Sequence, residues 1–162
     1  MISWIYRWSY RRLGLGLRIR RRCNSQDVRV LECECSMKNI LLDSGEGRVL
    51  EVVTSGELSE RAFVFHHGGF GCSEGMAPLY RAASDAGVFL IGITRGGYAR
   101  SSRREGRRTF NYVNDTRVAL DHFGVTEFVS FGWSSGGPAM VSDLQDSRCV
   151  GGIGIASDAP RV

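Results

Sequence analysis

Apolar residues along this chain fall into short blocks whose period changes from two to about 3.6, and the changes mark the elements. After Met37 two strand-like runs, Asn39 to Leu42 and Arg48 to Thr54, are separated by Asp43-Ser44-Gly45-Glu46-Gly47. The glycines of that linker tolerate positive φ, so an antiparallel hairpin is predicted. Ala62-Phe63-Val64-Phe65, Val88 to Ile93 and Phe128 to Phe131 are continuous apolar runs of the kind found in strands buried on both faces. Between them, Met76 to Asp85 predicts a helix ended by Gly87. Thr109 to Phe123 predicts another, with Val113, Thr116, Leu120 and Phe123 on one face and Gly124 as the stop. A helix from about Ser135 and a last strand, Val150 to Ala156, complete the pattern. Strand and helix alternate from residue 62 onward, which argues for a parallel sheet covered by helices on both faces. The connection between Ile93 and Thr109 is long and rich in arginine.

Composition changes this picture mainly at the N-terminus. With 162 residues and 43% hydrophobic content the chain is long enough for one domain with a real core. The formal charge of +4 suggests nucleic acid until it is located. Residues 1–36 hold eight arginines against three acids, whereas the rest carries 13 basic and 14 acidic residues. The excess therefore belongs to a basic, aromatic-rich extension, read as lying outside a folded portion at 37–162, and a nucleic-acid partner is not favoured. In the extension the uncharged stretch Leu13 to Leu17 is too short for a secretory signal. An organellar presequence, an interfacial arm and an extension with no folded role all remain open. Five scattered cysteines point to a reducing compartment, the cytoplasm, with an organelle as the alternative if residues 1–36 are a presequence. No run approaches the roughly 20 apolar residues of a membrane span. Cys33-Glu34-Cys35 lacks partners at ligand spacing, so neither a metal nor a cofactor is expected.

The chemistry is concentrated in two glycine-rich segments. Gly132-Trp133-Ser134-Ser135-Gly136 fits G-x-S-x-G and lies between a predicted buried strand and a predicted helix, the context that motif requires. Small residues on both sides of Ser134 permit a turn sharp enough to project its hydroxyl from the strand end, with the Ser135 N–H directed into the same space. Pro138 falls in the first helical turn, where its missing donor costs little. His67-Gly68-Gly69 ends an earlier strand and can expose a backbone N–H toward a developing oxyanion. His66 and His67 read better as loop anchors than as bases or ligands, and His122, at a helix end, reads as a surface residue.

With these motifs in order, residues 38–160 resemble the N-terminal half of an α/β-hydrolase fold protein, with serine hydrolases of the esterase and proline iminopeptidase kind as the nearest pattern. His67-Gly68-Gly69-Phe70-Gly71 resembles the H-G-G-P-G oxyanion loop. Gly132 to Pro138 resembles the nucleophile elbow, Thr94 to Ser101 the R-P-G-Y-G-x-S loop, and Asp121 to Val125 the D-x-L-G-V helix end. Phe70, Gly96 and Ala99 depart from those patterns. The resemblance implies an α/β fold with a mostly parallel sheet of about six of the family's eight strands. It implies Ser134 as nucleophile, the N–H groups of Gly69 and Ser135 as oxyanion hole, Asp158 as a candidate acid, and a small-molecule ester, amide or peptide substrate.

A serine needs a base to take its proton. Only 28 residues follow Ser134 and none is His. The expectation is therefore a truncated hydrolase, weak or inactive alone. Its bare sheet edge would self-associate or receive a complementing chain; the alternative is a non-catalytic interaction fragment.

Overall fold

The computed structural model describes residues 37–156, and there the alternation becomes a six-stranded sheet of order β1-β2-β4-β3-β5-β6. β1 (Lys38–Asp43) and β2 (Val49–Ser55) form the predicted antiparallel hairpin, its turn carried by positive φ at Gly45, Glu46 and Gly47. β2 joins β4 (Leu90–Ile93) antiparallel. β4, β3 (Arg61–His66), β5 (Glu127–Trp133) and β6 (Cys149–Ile155) are parallel to one another. The helices are α1 (Ala77–Asp85), α2 (Tyr112–Phe123) and α3 (Gly137–Asp143). Gly124 closes α2 in the left-handed conformation, as its position in the sequence suggested.

Alternation along the strands explains why the central runs are apolar throughout. Ala62 and Val64 of β3, with Ile91 and Ile93 of β4, pack on the face where α2 contributes Ala119 and Leu120. Phe65 and Leu90 point the other way and meet Tyr80 of α1. These residues of the two central strands thus have a helix to pack against, whichever face they take. α3 packs on β5, β6 and α2.

Two helices start differently from expectation. Thr109–Asn111 and Ser134–Gly136 are 3-10 turns that lead into α2 and α3. In the first case Arg108 N–H donates to the Asn111 carboxamide at 2.9 Å, a local bond that holds the tighter turn.

The order of strands positions the site. From β3 the chain crosses α1 to β4 on one side. From β4 it returns through α2 to β5 on the other side of β3. The connections therefore diverge at β3, and the crevice between the carboxyl ends of β3 and β5 is where ligands enter open α/β sheets. Both glycine-rich segments lie there. Asp158 and residues 1–36, including Cys33 and Cys35, lie outside the described residues.

Candidate active site

The turn after β5 is as sharp as the motif demands. Trp133 is still extended, with φ −105° and ψ 131°, whereas Ser134 takes φ +52° and Gly136 is already helical. A left-handed φ costs a non-glycine residue roughly 1–2 kcal/mol, so it persists only where the surroundings impose it. They do so by close approach: a Cβ on Gly136 would lie 2.2 Å from the His66 carbonyl oxygen, and one on Gly132 would lie 2.7 Å from the Gly136 oxygen. Glycine at 136 lets the start of α3 press against the end of β3, and glycine at 132 lets it fold back on the end of β5.

The loop after β3 lies against this turn. A Cβ on Gly68 would be 3.4 Å from the Ser134 Cβ and 3.8 Å from its Oγ, and one on Gly69 would be 3.2 Å from the Ser135 Oγ. Three residues singled out from the sequence, Gly69, Ser134 and Ser135, are thereby brought together. A concavity of about 290 Å³ opens beside them, bounded by Phe70, Met76 and Trp133 on its apolar side and including Cys72. Phe70 is fully exposed, and Trp133 is 40% exposed.

The histidines are committed to the frame. His67 is buried, and its Nε2 accepts the Arg95 N–H at 3.0 Å, so the proton sits on Nδ1, which donates to the Gly68 oxygen at 2.7 Å. Burial holds its pKa down, to about 4, because desolvation disfavours the cation and the Arg95 charge adds to the effect. It is a neutral imidazole at pH 7 and shapes the loop. His66 is buried too, and its Nε2 donates to the Asp143 Oδ2 at 2.6 Å; the same oxygen accepts the Ser130 hydroxyl at 2.7 Å. This cluster fastens the end of β3 to the end of α3 and to β5. His122 is exposed at the C-terminal end of α2.

Several contributors were not assigned a role from the sequence. The Arg95 guanidinium donates to the His67 oxygen at 2.6 Å and reaches the Gly68 oxygen and the Ser135 Oγ at 3.4 Å each, while the Tyr98 hydroxyl donates to the Gly69 oxygen at 3.1 Å. These bonds occupy the loop's carbonyls and so orient its peptides. The loop that carries Arg95 and Tyr98 is pinned in turn by Glu51. That buried carboxylate accepts from the Arg100 N–H and Asn39 Nδ2, both at 2.8 Å; burial raises its pKa, but these bonds and the Arg100 charge bring it below the ordinary value. Thr94 to Ser101 was legible as a motif; its grip on the neighbouring loop depends on contacts 27 to 40 residues apart. Among the described residues no group of three or more His, Cys, Asp or Glu side chains could hold a metal ion, and no helix is long and apolar enough to cross a membrane.

Comparison with known proteins agrees with this arrangement. A family model described as the alpha/beta hydrolase fold matches residues 61–142, which contain both the His67–Gly71 loop and the Ser134 turn. Among solved structures, an esterase from Exiguobacterium antarcticum is similar with a TM-score of 0.64 at 19% identity, over 76% of this chain and 47% of that one. A proline iminopeptidase-related protein from Thermus thermophilus gives 0.60 at 21% identity, over 75% and 45%. Epoxide Hydrolase A from Mycobacterium thermoresistibile gives 0.62 at 22% identity, over 73% and 38%. At such identities the likeness is one of fold, and this chain spans about half or less of the length of each of these three. No curated protein sequence matches it significantly.

Proposed function

Because this chain belongs to the α/β-hydrolase fold family, we propose that it is a serine hydrolase that transfers the acyl group of an ester, amide or peptide to Ser134 and then to water. In this reading residues 37–162 are the hydrolase portion and residues 1–36 an extension outside it. The observation that carries the reading is the left-handed φ of +52° at Ser134, at a strand-to-helix turn against which Gly68 and Gly69 are packed. The Ser134 Oγ would add to the substrate carbonyl as its proton passes to a base, and the N–H groups of Gly69 and Ser135 would receive the oxyanion. Collapse would expel the alcohol or amine carrying that proton. Water would then repeat the addition and release the acid and the serine hydroxyl. The apolar wall of Phe70, Met76 and Trp133 supports a small-molecule substrate with an apolar group next to the carbonyl.

The base comes from elsewhere in this scheme. The ring nitrogens of His67 are both bonded to backbone, His66 is bonded to Asp143, and His122 stands at the end of α2. A histidine from a further segment or a second chain, with Asp158 as candidate acid, would complete the triad; without it the oxyanion donors alone would leave weak turnover. The odd number and wide scatter of the five cysteines support a cytoplasmic location.

One observation favours a second reading, a non-catalytic interaction fragment or half of a two-chain hydrolase. β6 is an edge strand whose Val150, Ile153 and Ile155 are exposed, an arrangement suited to pairing with another strand. Treating the full chain with a fluorophosphonate separates the two. Hydrolase chemistry is expected to give one phosphonyl adduct on the peptide containing Ser134, absent from Ser134→Ala. A folded chain that takes up no label even with excess imidazole supplied as the base overturns the acyl-transfer reading and leaves the interaction fragment.

A further inference from the structure

Between β4 and α2 the chain carries Arg95, Arg100, Arg103, Arg104, Arg107 and Arg108 against a single acid, Glu105. The site already accounts for two of these, since Arg95 holds the His67 loop and Arg100 pairs with Glu51 at 3.3 Å. Arg103, Arg104 and Arg107, with Gly96, Gly97 and Glu105, instead line an open polar concavity of about 590 Å³. Among the described residues no carboxylate forms an ion pair with any of the three. Asp115 pairs with Arg48 at 3.6 Å in an adjoining concavity that Arg104 also borders, and its carboxylate, which feels the charges of Arg104 and Arg107 as well, offsets part of theirs.

The cradle is shaped by its backbone. The Arg107 guanidinium donates to the Gly96 oxygen at 2.9 Å and lies over the Tyr112 ring, 4.9 Å from its centroid. Arg95 approaches the same ring at 6.0 Å, which links the cradle to the loop beside Ser134. A Cβ on Gly96 would be 2.8 Å from the Ser102 oxygen and 3.2 Å from the Arg107 Nη1. Glycine, where the resembling family pattern has proline, is thus what lets the arginine loop fold back.

Three permanently charged guanidinium groups around one concavity repel each other, and a multivalent anion turns that repulsion into attraction; the planar fork of arginine matches phosphate oxygens in pairs. We propose that this concavity is a binding site for a phosphate group, held by Arg103, Arg104 and Arg107 on the loop between β4 and α2. The group is either free inorganic phosphate or the phosphoryl end of a larger ligand that extends into the concavity on the other side of Arg104. The site does not depend on Ser134 being a nucleophile.

Calorimetric titration of the full chain at low salt tests this with inorganic phosphate and with phenyl phosphate. Saturable binding of one phosphate per chain is expected. It should weaken about tenfold or more in the Arg103→Gln/Arg104→Gln double variant and about threefold in Arg103→Gln, an exposed position that leaves the fold intact, given the strength of charge-assisted bonds. Arg81→Gln, which removes the same charge from α1, should change affinity by less than about twofold. Ser134→Ala should leave it unchanged, so failure of the hydrolase reading and failure of this one are separable. Absence of saturable binding, or equal weakening by Arg81→Gln, overturns the site. Phenyl phosphate binding much more tightly than phosphate assigns the group to a larger ligand; equal affinities assign it to the free anion.

Discussion

The rim at the carboxyl ends of β3 and β5 and the outer edge formed by β6 are one strand apart, yet they are held by opposite means. At the rim, polar groups are buried and paired: His66 with Asp143, Ser130 with the same carboxylate, and His67 between two backbone partners. At the β6 edge apolar side chains face water, Val150 at 55% and Ile155 at 51% exposure, and the strand is secured by its ladder to β5 and its contacts with α3. The difference shows where stability resides here. The rim's polar ties over-determine the backbone and so sustain the strain at Ser134, while the hydrophobic residues of the edge contribute little because none of the described residues covers them.

The most severe way to break this contrast is to remove the carboxylate. Asp143→Ala leaves His66 and Ser130 buried without their acceptor and should cost roughly 3–5 kcal/mol. Urea unfolding at pH 7.5 would show it as a large fall in midpoint, and a loss below about 1 kcal/mol would mean that the cluster does not fasten the rim.

Acid should loosen the rim by a somewhat smaller amount. His67 titrates near 4 in the folded chain and near 6.5 when unfolded, so between those values the unfolded chain binds the extra proton. Stability is unaffected above about pH 6.5 and falls as pH drops toward 4, by about 3 kcal/mol in all. His67→Gln, which can still donate and accept, should flatten that slope. Urea midpoints at pH 7.5, 5.5 and 4.5 would decide, and equal slopes in the two proteins would contradict the assignment.

At the edge the effect should be the smallest. Ile155→Lys is expected to change stability by less than about 0.5 kcal/mol while raising solubility, because the side chain it removes is already half in water. A loss of more than about 2 kcal/mol would show that the strand's outer residues are covered in solution.

The same division governs what could be read beforehand. β3, β4 and β5 declared themselves because burial on both faces demands unbroken apolar runs, and Gly132 to Gly136 because the turn at Ser134 admits few residue types. The His66–Asp143 tie joins residues 77 apart. Asp143, at the end of a short helix, has the local appearance of a solvent-facing acid, and no period or spacing marks it as buried. Arg95 likewise lies within a recognisable motif, but its reach to the His67 oxygen exists only once β3 and β4 are side by side.

The place of β3 in the strand order also sets a timetable. Its first residues beyond the sheet are gripped from the β4 side by Arg95 and from the β5 side by the Ser134 turn. The first grip waits on the pairing of β3 with β4 and the second on the longer-range pairing of β3 with β5, and such distant closures come late. A folding chain would therefore hold the His67 loop from one side first, and the sharp turn at Ser134 would meet that loop only when the third parallel strand docks.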